Sequence, residues 1–309
     1  MNNFKKIGLS ALAGSLVAFS VNAAEMTVTG SAGLSLSSTE DTTASAFGQN
    51  DSVIISGSGE TDGGLTVSAS FELDGDTSMD DRSFSVGSDT LGTFSFHGSG
   101  GSSVMGGWDD VTPNAYEEVW DVTDGADGDR VDGISGTNLI RWDSAVYSGV
   151  QIAVAYQDAE QTATASTYTD FGISYSPEMV DGLTIGYGQG DVETTTGTVL
   201  EDTAMYVKYV YGSVTVGYQE NERSATSAAN AIDFEAFGIS YAVSDNLTIA
   251  YNQSESVVGT TGTQEASGIS ASFTSGGMTI AGMMNDVDNV AYVHTNDTEG
   301  YELNLSFAF

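Results

Sequence analysis

The chain has no cysteine among its 309 residues, only 2 prolines, and only 7 lysines and arginines against 43 aspartates and glutamates. Without cysteine there is no disulfide framework, no thiol catalysis and no thiolate-held zinc, although a large folded chain in an oxidising compartment needs no such staples. A formal net charge of −36 repels phosphate backbones, which excludes a nucleic-acid partner. Past residue 21 no apolar run approaches the ~18 residues of a membrane-spanning helix, and no apolar stripe recurs at helical spacing. What the chain has in quantity is 38 glycines, 14 tyrosines and 13 phenylalanines, too many aromatics for a disordered acidic tail.

The single long apolar run is N-terminal. Lys5 and Lys6 precede the apolar residues 7–21, and Val21-Asn22-Ala23 supplies the small residues of a cleavage site. Residues 1–23 therefore read as a secretory signal peptide, leaving 24–309 as the exported chain.

That chain is dominated by period-two alternation, the mark of a strand with two different faces. Leu183-Thr184-Ile185-Gly186-Tyr187, Val214-Thr215-Val216-Gly217-Tyr218 and Leu247-Thr248-Ile249-Ala250-Tyr251 follow one formula, and Phe-Gly-Ile-Ser-Tyr occurs at both 171–175 and 237–241. At the end, Tyr301, Leu303, Leu305, Phe307 and Phe309 share one face. Sixteen strands are expected: 26–37, 50–58, 64–73, 81–88, 92–99, 137–144, 149–158, 168–176, 182–190, 201–211, 213–221, 232–242, 246–255, 265–274, 277–286 and 297–309. Short Gly/Asp/Pro turns such as Asp89-Thr90-Leu91 alternate with longer polar segments at 159–167, 191–200, 222–231 and 256–264. Short turns at one end and long loops at the other describe an all-β chain closed into an antiparallel transmembrane barrel. A soluble sandwich would need a second packed face. Here the other face is Thr, Ser, Gly, Ala and Gln, and no short solenoid repeat is present.

The chain resembles a Gram-negative general porin of the alphaproteobacterial (Rhodobacter-type) branch. The resemblance rests on the hairpin SGSGETDGGLTVSASFELD at 56–74, on the alternating aromatics that close on Phe309, and on the long segment 100–136 between the fifth and sixth strands, where that family places its constriction loop. It implies a homotrimer of sixteen-stranded barrels in the outer membrane of a Gram-negative bacterium, each a passive water-filled channel. It also implies recognition of Phe309 by the barrel-assembly machinery. Segment 100–136 carries Tyr116-Glu117-Glu118-Val119-Trp120 where enterobacterial porins have Pro-Glu-Phe-Gly-Gly, so no detailed constriction geometry is carried over.

The candidate functional residues follow from charge and parity. Segment 100–136 holds Asp109, Asp110, Glu117, Glu118, Asp121, Asp124, Asp127, Asp129 and Asp132 against the single Arg130. Its Trp108, Tyr116 and Trp120 are costly to expose. Folded inward, this segment would give the pore a negative constriction that favours cations. Left outside, it would be a solvated acidic loop. Arg141 shares parity with Leu139 and Asp143, which points it into the lumen, and Lys208 follows if Met205 and Val207 face lipid. Asp124, Asp127 and Asp129 form a glycine-rich acidic turn able to offer oxygens to calcium, though outside the EF-hand spacing. No other cofactor is expected. His97 and His294 lie far apart in sequence and no nucleophile elbow is present, so the chain is not expected to be an enzyme.

All tyrosines lie at or after Tyr116. Tyr156, Tyr187, Tyr218 and Tyr251 are expected where upward strands finish, and Tyr175 and Tyr241 where downward ones do, in girdles at the lipid boundary. The first five strands carry no Tyr or Trp, so their outer face is expected to meet another subunit. An occluded structural or adhesive barrel and a secreted acidic β-protein remain the alternatives.

Overall fold

The computed structural model describes residues 25–39, 46–75, 78–120, 130–131, 133–158, 167–193, 199–224 and 231–309. The expected signal peptide lies outside the described residues. The first strands are β1 (Glu25–Thr39), β2 (Ala46–Glu60), β3 (Thr66–Asp74), β4 (Ser78–Ser88) and β5 (Gly92–Ser99). Two short strands, β6 (Gly101–Ser102) and β7 (Ser135–Gly136), pair with each other apart from the main sheet. Then come β8 (Leu139–Asp143), β9 (Val150–Gln157), β10 (Thr167–Tyr175), β11 (Leu183–Glu193), β12 (Val199–Tyr211) and β13 (Val214–Ser224). The last are β14 (Ile232–Ser244), β15 (Leu247–Val258), β16 (Gly262–Ser275), β17 (Met278–Asp288) and β18 (Thr298–Ala308).

With β6 and β7 set aside, the remaining sixteen strands form one closed barrel in which each pairs antiparallel with its neighbours in sequence. The seam is the ladder of β1 with β18, where Leu34 faces Leu305 and Leu36 faces Leu303. Closure leaves no sheet edge with unpaired N–H and C=O groups, a requirement for a sheet surrounded by hydrocarbon. The tight turns use glycine where the backbone must go left-handed, as at Gly212 (φ 60°) between β12 and β13 and Gly276 (φ 63°) between β16 and β17.

The alternation resolves into two faces of opposite character. Outward residues are large and apolar yet exposed: Phe84, Phe94, Ile152, Val154, Ile185, Ile249, Ile269 at 59% and Leu305 at 43%. So continuous an apolar belt is expected of a surface that meets lipid, not water. The inward residues between them are small and buried, including Ala153, Ala155, Ala204, Ala236, Ala250, Ala266 and Ala281.

Two expectations need correction. Residues 256–264 do not form a long loop: β15 and β16 run on until three residues, 259–261, join them. Ser256 and Gln264 pair directly across the ladder, and both are buried on its inner face. Their polarity, which in sequence resembles a loop, is that of an inward-facing strand position. Likewise Tyr187, Tyr218 and Tyr251 do not end their strands. β11 continues to Glu193, β13 to Ser224 and β15 to Val258, with outward carboxylates beyond each tyrosine.

Candidate functional site

The described residues between β5 and β8 lie against the inner face of the barrel, and that contact explains why the face is small and polar. A one-turn 3-10 helix, Met105–Gly107, opens it. Val104, Met105, Val119 and Val131 are completely buried and Trp120 nearly so. A Cβ on Gly172 would come within 2.3 Å of the Trp108 ring and 2.6 Å of Val104, and one on Gly217 within 2.6 Å of Pro113. Trp108 meets Tyr206 edge-on at 5.2 Å, and Trp120 meets Phe234 at 5.1 Å.

Burying this irregular backbone is costly unless its N–H and C=O groups find partners. The inner wall supplies them from successive strands. On β10, Asp170 Oδ2 accepts from the Met105 N–H at 2.8 Å. On β13, Gln219 Oε1 accepts from the N–H groups of Val111 (2.8 Å) and Thr112 (3.3 Å), while its Nε2 donates to the Asp109 carbonyl. Asn221 Nδ2 reaches the Val131 carbonyl at 3.4 Å. On β15, Asn252 donates to the Pro113 carbonyl at 3.0 Å, and on β17 Asn285 donates to the Val119 carbonyl at 2.8 Å. Ser270 on β16 accepts from the Ala115 N–H at 3.1 Å, and Tyr116 OH donates to Glu302 on β18. Burial raises the Tyr116 phenol well above the ordinary tyrosine value, and the bond to Glu302 and the charge of Glu117 act in the same direction.

These wall amides are the functional residues that charge and parity alone did not single out. Three of them follow directly after an outward girdle residue, as Tyr218-Gln219, Tyr251-Asn252 and Met284-Asn285. An amide at an inward position otherwise filled by Gly, Ala or Ser is the signal that could have found them.

The expected site residues are placed as follows. Asp110 is exposed, Asp109, Glu117 and Glu118 are half-buried, and Glu118 accepts a bond from Asn114. Asp121, Asp124, Asp127, Asp129 and Asp132 lie outside the described residues. Arg141 is on the inner face. Its Nε and Nη2 bond Asp143 at 2.9 and 2.8 Å, and its Nη1 donates to the carbonyls of Ser102 (3.2 Å) and Ser103 (3.0 Å). It thus ties down the start of the inner segment. Arg223 is similarly paired with Asp202, at 2.6 and 2.7 Å. Lys208 shares the inner face of β12 with Ala204 and Tyr206, while Met205 and Val207 face outward. Arg130 stacks over the Trp120 ring at 5.9 Å. The wall formed by β1–β4 is lined with hydroxyls, bonded in pairs such as Thr27 with Ser56 and Ser68 with Ser85, together with Glu72. Phe309 exchanges two backbone hydrogen bonds of 2.9 Å with Gly30 and stacks on Phe307 at the barrel seam. Among the described residues, one trio of carboxylates lies close enough to share an ion: Glu220, Asp233 and Glu235, on the outer face and not in the inner segment.

A closed sixteen-stranded barrel with an apolar exterior, a polar interior and a segment laid along its inner wall is the architecture of an outer-membrane channel. The chain belongs to the Gram-negative porin family, whose model matches residues 8–263. No curated protein sequence matches it. Its fold is similar to that of an anion-selective porin from Comamonas acidovorans, with 12% identity over 93% of this chain and 100% of that one and a TM-score of 0.67. It is also similar to the trimer form of OmpT, an outer membrane protein of Vibrio cholerae, at 12% identity, 93% and 99% coverage and a TM-score of 0.66. A double mutant of Rh. blastica porin matches at 17% identity, 92% and 100% coverage and a TM-score of 0.66. Family and fold point to the outer membrane of a Gram-negative bacterium and to a porin channel.

Proposed function

We propose that the protein is a trimeric, passive channel for small hydrophilic solutes and ions, with a preference for cations. The observation that carries the preference is the charge inventory around the lumen. Asp110, Glu117 and Glu118 stand on the inner segment and Glu72 on the facing hydroxyl-lined wall, outnumbering Lys208 on the inner face of β12 and Arg130 over Trp120, whereas Arg141 and Arg223 are each neutralised by an aspartate. Fixed negative charge in a confined, low-dielectric passage concentrates counter-ions and repels anions. In this respect the chain differs from the Comamonas protein, which is described as anion-selective. Planar-bilayer recording tests the reading: conductance should appear in groups of three steps, whereas folded protein without conductance would indicate an occluded structural barrel.

The subunit contact is assigned to the outer face of β1–β5, where Val28, Leu34, Ile55, Phe71 and Phe84 are exposed and no tyrosine or tryptophan occurs. Cysteines at Val67 or Phe84 should cross-link between subunits; equal labelling of this wall and the tyrosine-bearing wall by a lipid-phase probe would refute the assignment. The Rhodobacter-type branch is supported by the hairpin at 56–74. Phe309 is read as the assembly signal, so Phe309→Ala should lower the amount of barrel in the outer membrane without changing its conductance. Calcium in the turn containing Asp124, Asp127 and Asp129 is the remaining element of this reading. A chelator should alter open-channel noise if the ion is there, and leave it unchanged if the turn is only acidic.

A further inference from the structure

The outer face of β14–β18 has a groove of about 800 Å³ with no role in conduction. Its floor is the pair Ala271 and Gly282, direct partners across the β16–β17 ladder, so at that row two adjacent strands present almost no side chain outward, while Ile269 and Met284, partners in the next row toward the rim, stand out from the same strands. Ile249 on one side and Leu303 on the other are the next partners along the same row and form its walls. The aromatic rim is Tyr251 and Tyr301, both outward.

Beyond that rim, past the outward row of Gln253, Ser267 and Asp286, runs a row of carboxylates. Glu220 pairs with Glu235, Glu235 with Glu255, Glu255 with Glu265, and Glu265 with Asp288, each across a strand ladder and on the outer face. Neighbouring strands are about 5 Å apart, and like charges directly opposite one another are destabilising. Between residues 214 and 288 the only basic residue is Arg223, which is on the inner face and bonded to Asp202. Counting from Tyr251, Glu255 is about 13 Å further along its strand, where lipid head groups begin.

We propose that this groove is a lipid site: an acyl chain lies along the Ala271–Gly282 floor, and the carboxylate row above it holds an ammonium-bearing head group. The groove provides an apolar recess on the outer surface that extends from Ile239 on β14 to Leu303 on β18, and the row provides charge opposite to an amine at the height where such an amine would sit. The site rests on the membrane placement given under the proposed function, but not on conduction.

The test uses the full-length chain in nanodiscs of equal phosphatidylethanolamine and phosphatidylglycerol, released into mild detergent, with retained lipid per barrel counted by mass spectrometry. The ethanolamine lipid should be retained in about fivefold excess, the ratio expected from one exposed ion pair. That excess should vanish in Ala271→Phe and in the double variant Glu255→Gln/Glu265→Gln, and persist in Val207→Phe on the outer face of β12. Ala271→Leu repeats the measurement if the phenylalanine variant does not fold. Equal retention of the two lipids would overturn the proposal. So would retention of the glycerol lipid only in the presence of calcium, or cross-linking between subunits through Ala271→Cys. Conductance is recorded on the same samples. A wild-type barrel that retains lipid but does not conduct would refute the channel reading and leave the lipid site standing.

Discussion

Gln219 is the most informative residue to perturb, because a single side chain satisfies three backbone groups of the inner segment. It is completely buried, and accepts from the N–H groups of Val111 and Thr112 while donating to the Asp109 carbonyl. In Gln219→Ala all three bonds are lost and the groups they satisfied become orphans in a confined space. At a net worth of about 1 kcal/mol per bond, the loss is about 3 kcal/mol, which shifts the equilibrium between docked and released segment on the order of a hundredfold. The barrel itself should be untouched, since the β13 ladder is backbone-bonded to β12 and β14 throughout. Single-channel recording should therefore show the same trimeric steps with a larger mean conductance and stronger open-channel noise. Limited proteolysis should cut between 109 and 118 in the variant and not in the wild type. Gln219→Glu, which keeps the acceptor for the two N–H groups and loses only the donor, should lie between them. A variant with wild-type noise and wild-type protease resistance would refute the claim that the wall amides hold the segment in place.

Three further outcomes follow from the same geometry. Gly172→Val places a side chain where the Trp108 ring and Val104 now sit, so it should displace the segment and raise conductance, measured in the same bilayer assay. Asp202→Asn leaves the Arg223 guanidinium beside a neutral partner at a fully buried position. It should cost about 3 kcal/mol, read as a lower temperature for heat-modifiable migration on a gel. Tyr116 keeps its proton beyond the ordinary tyrosine range because burial penalises the phenolate. Its contribution to docking is therefore complete below an unfolded tyrosine pKa of about 10 and is lost as pH rises through the higher folded value. In absorbance titration, Tyr116→Phe should reduce the late-ionising component by one tyrosine and leave the rest of the curve unchanged.

The barrel was legible in the sequence because its two faces meet such different surroundings. Residues such as Ile249, Tyr251 and Gln253 alternate outward with Ala250 and Asn252 inward, and a period of two over sixteen segments leaves little freedom in register or strand number. Where the reading went astray, at 256–264 and beyond Tyr187, Tyr218 and Tyr251, the strands leave the apolar band. There both faces become polar, the contrast that marks a strand disappears, and Ser256 or Gln264 looks like loop although it is paired and buried. The inner segment was recognisable by its length, its acidity and its tryptophans. Its anchoring was not, because Gln219, Asn252 and Asn285 matter through partners more than a hundred residues away in sequence, and hydrogen bonds of that kind leave no local pattern.

The central claim is that carboxylates on the inner segment set the charge preference of the pore. The measurement that reaches it most directly is the reversal potential of single trimers under a salt gradient, for the wild type and for the variant Asp110→Asn/Glu117→Gln/Glu118→Gln. The account predicts a cation-selective potential that collapses toward zero in the variant, with the three-step conductance retained. An anion-selective wild type, or a cation preference unchanged by removing the three carboxylates, would contradict it.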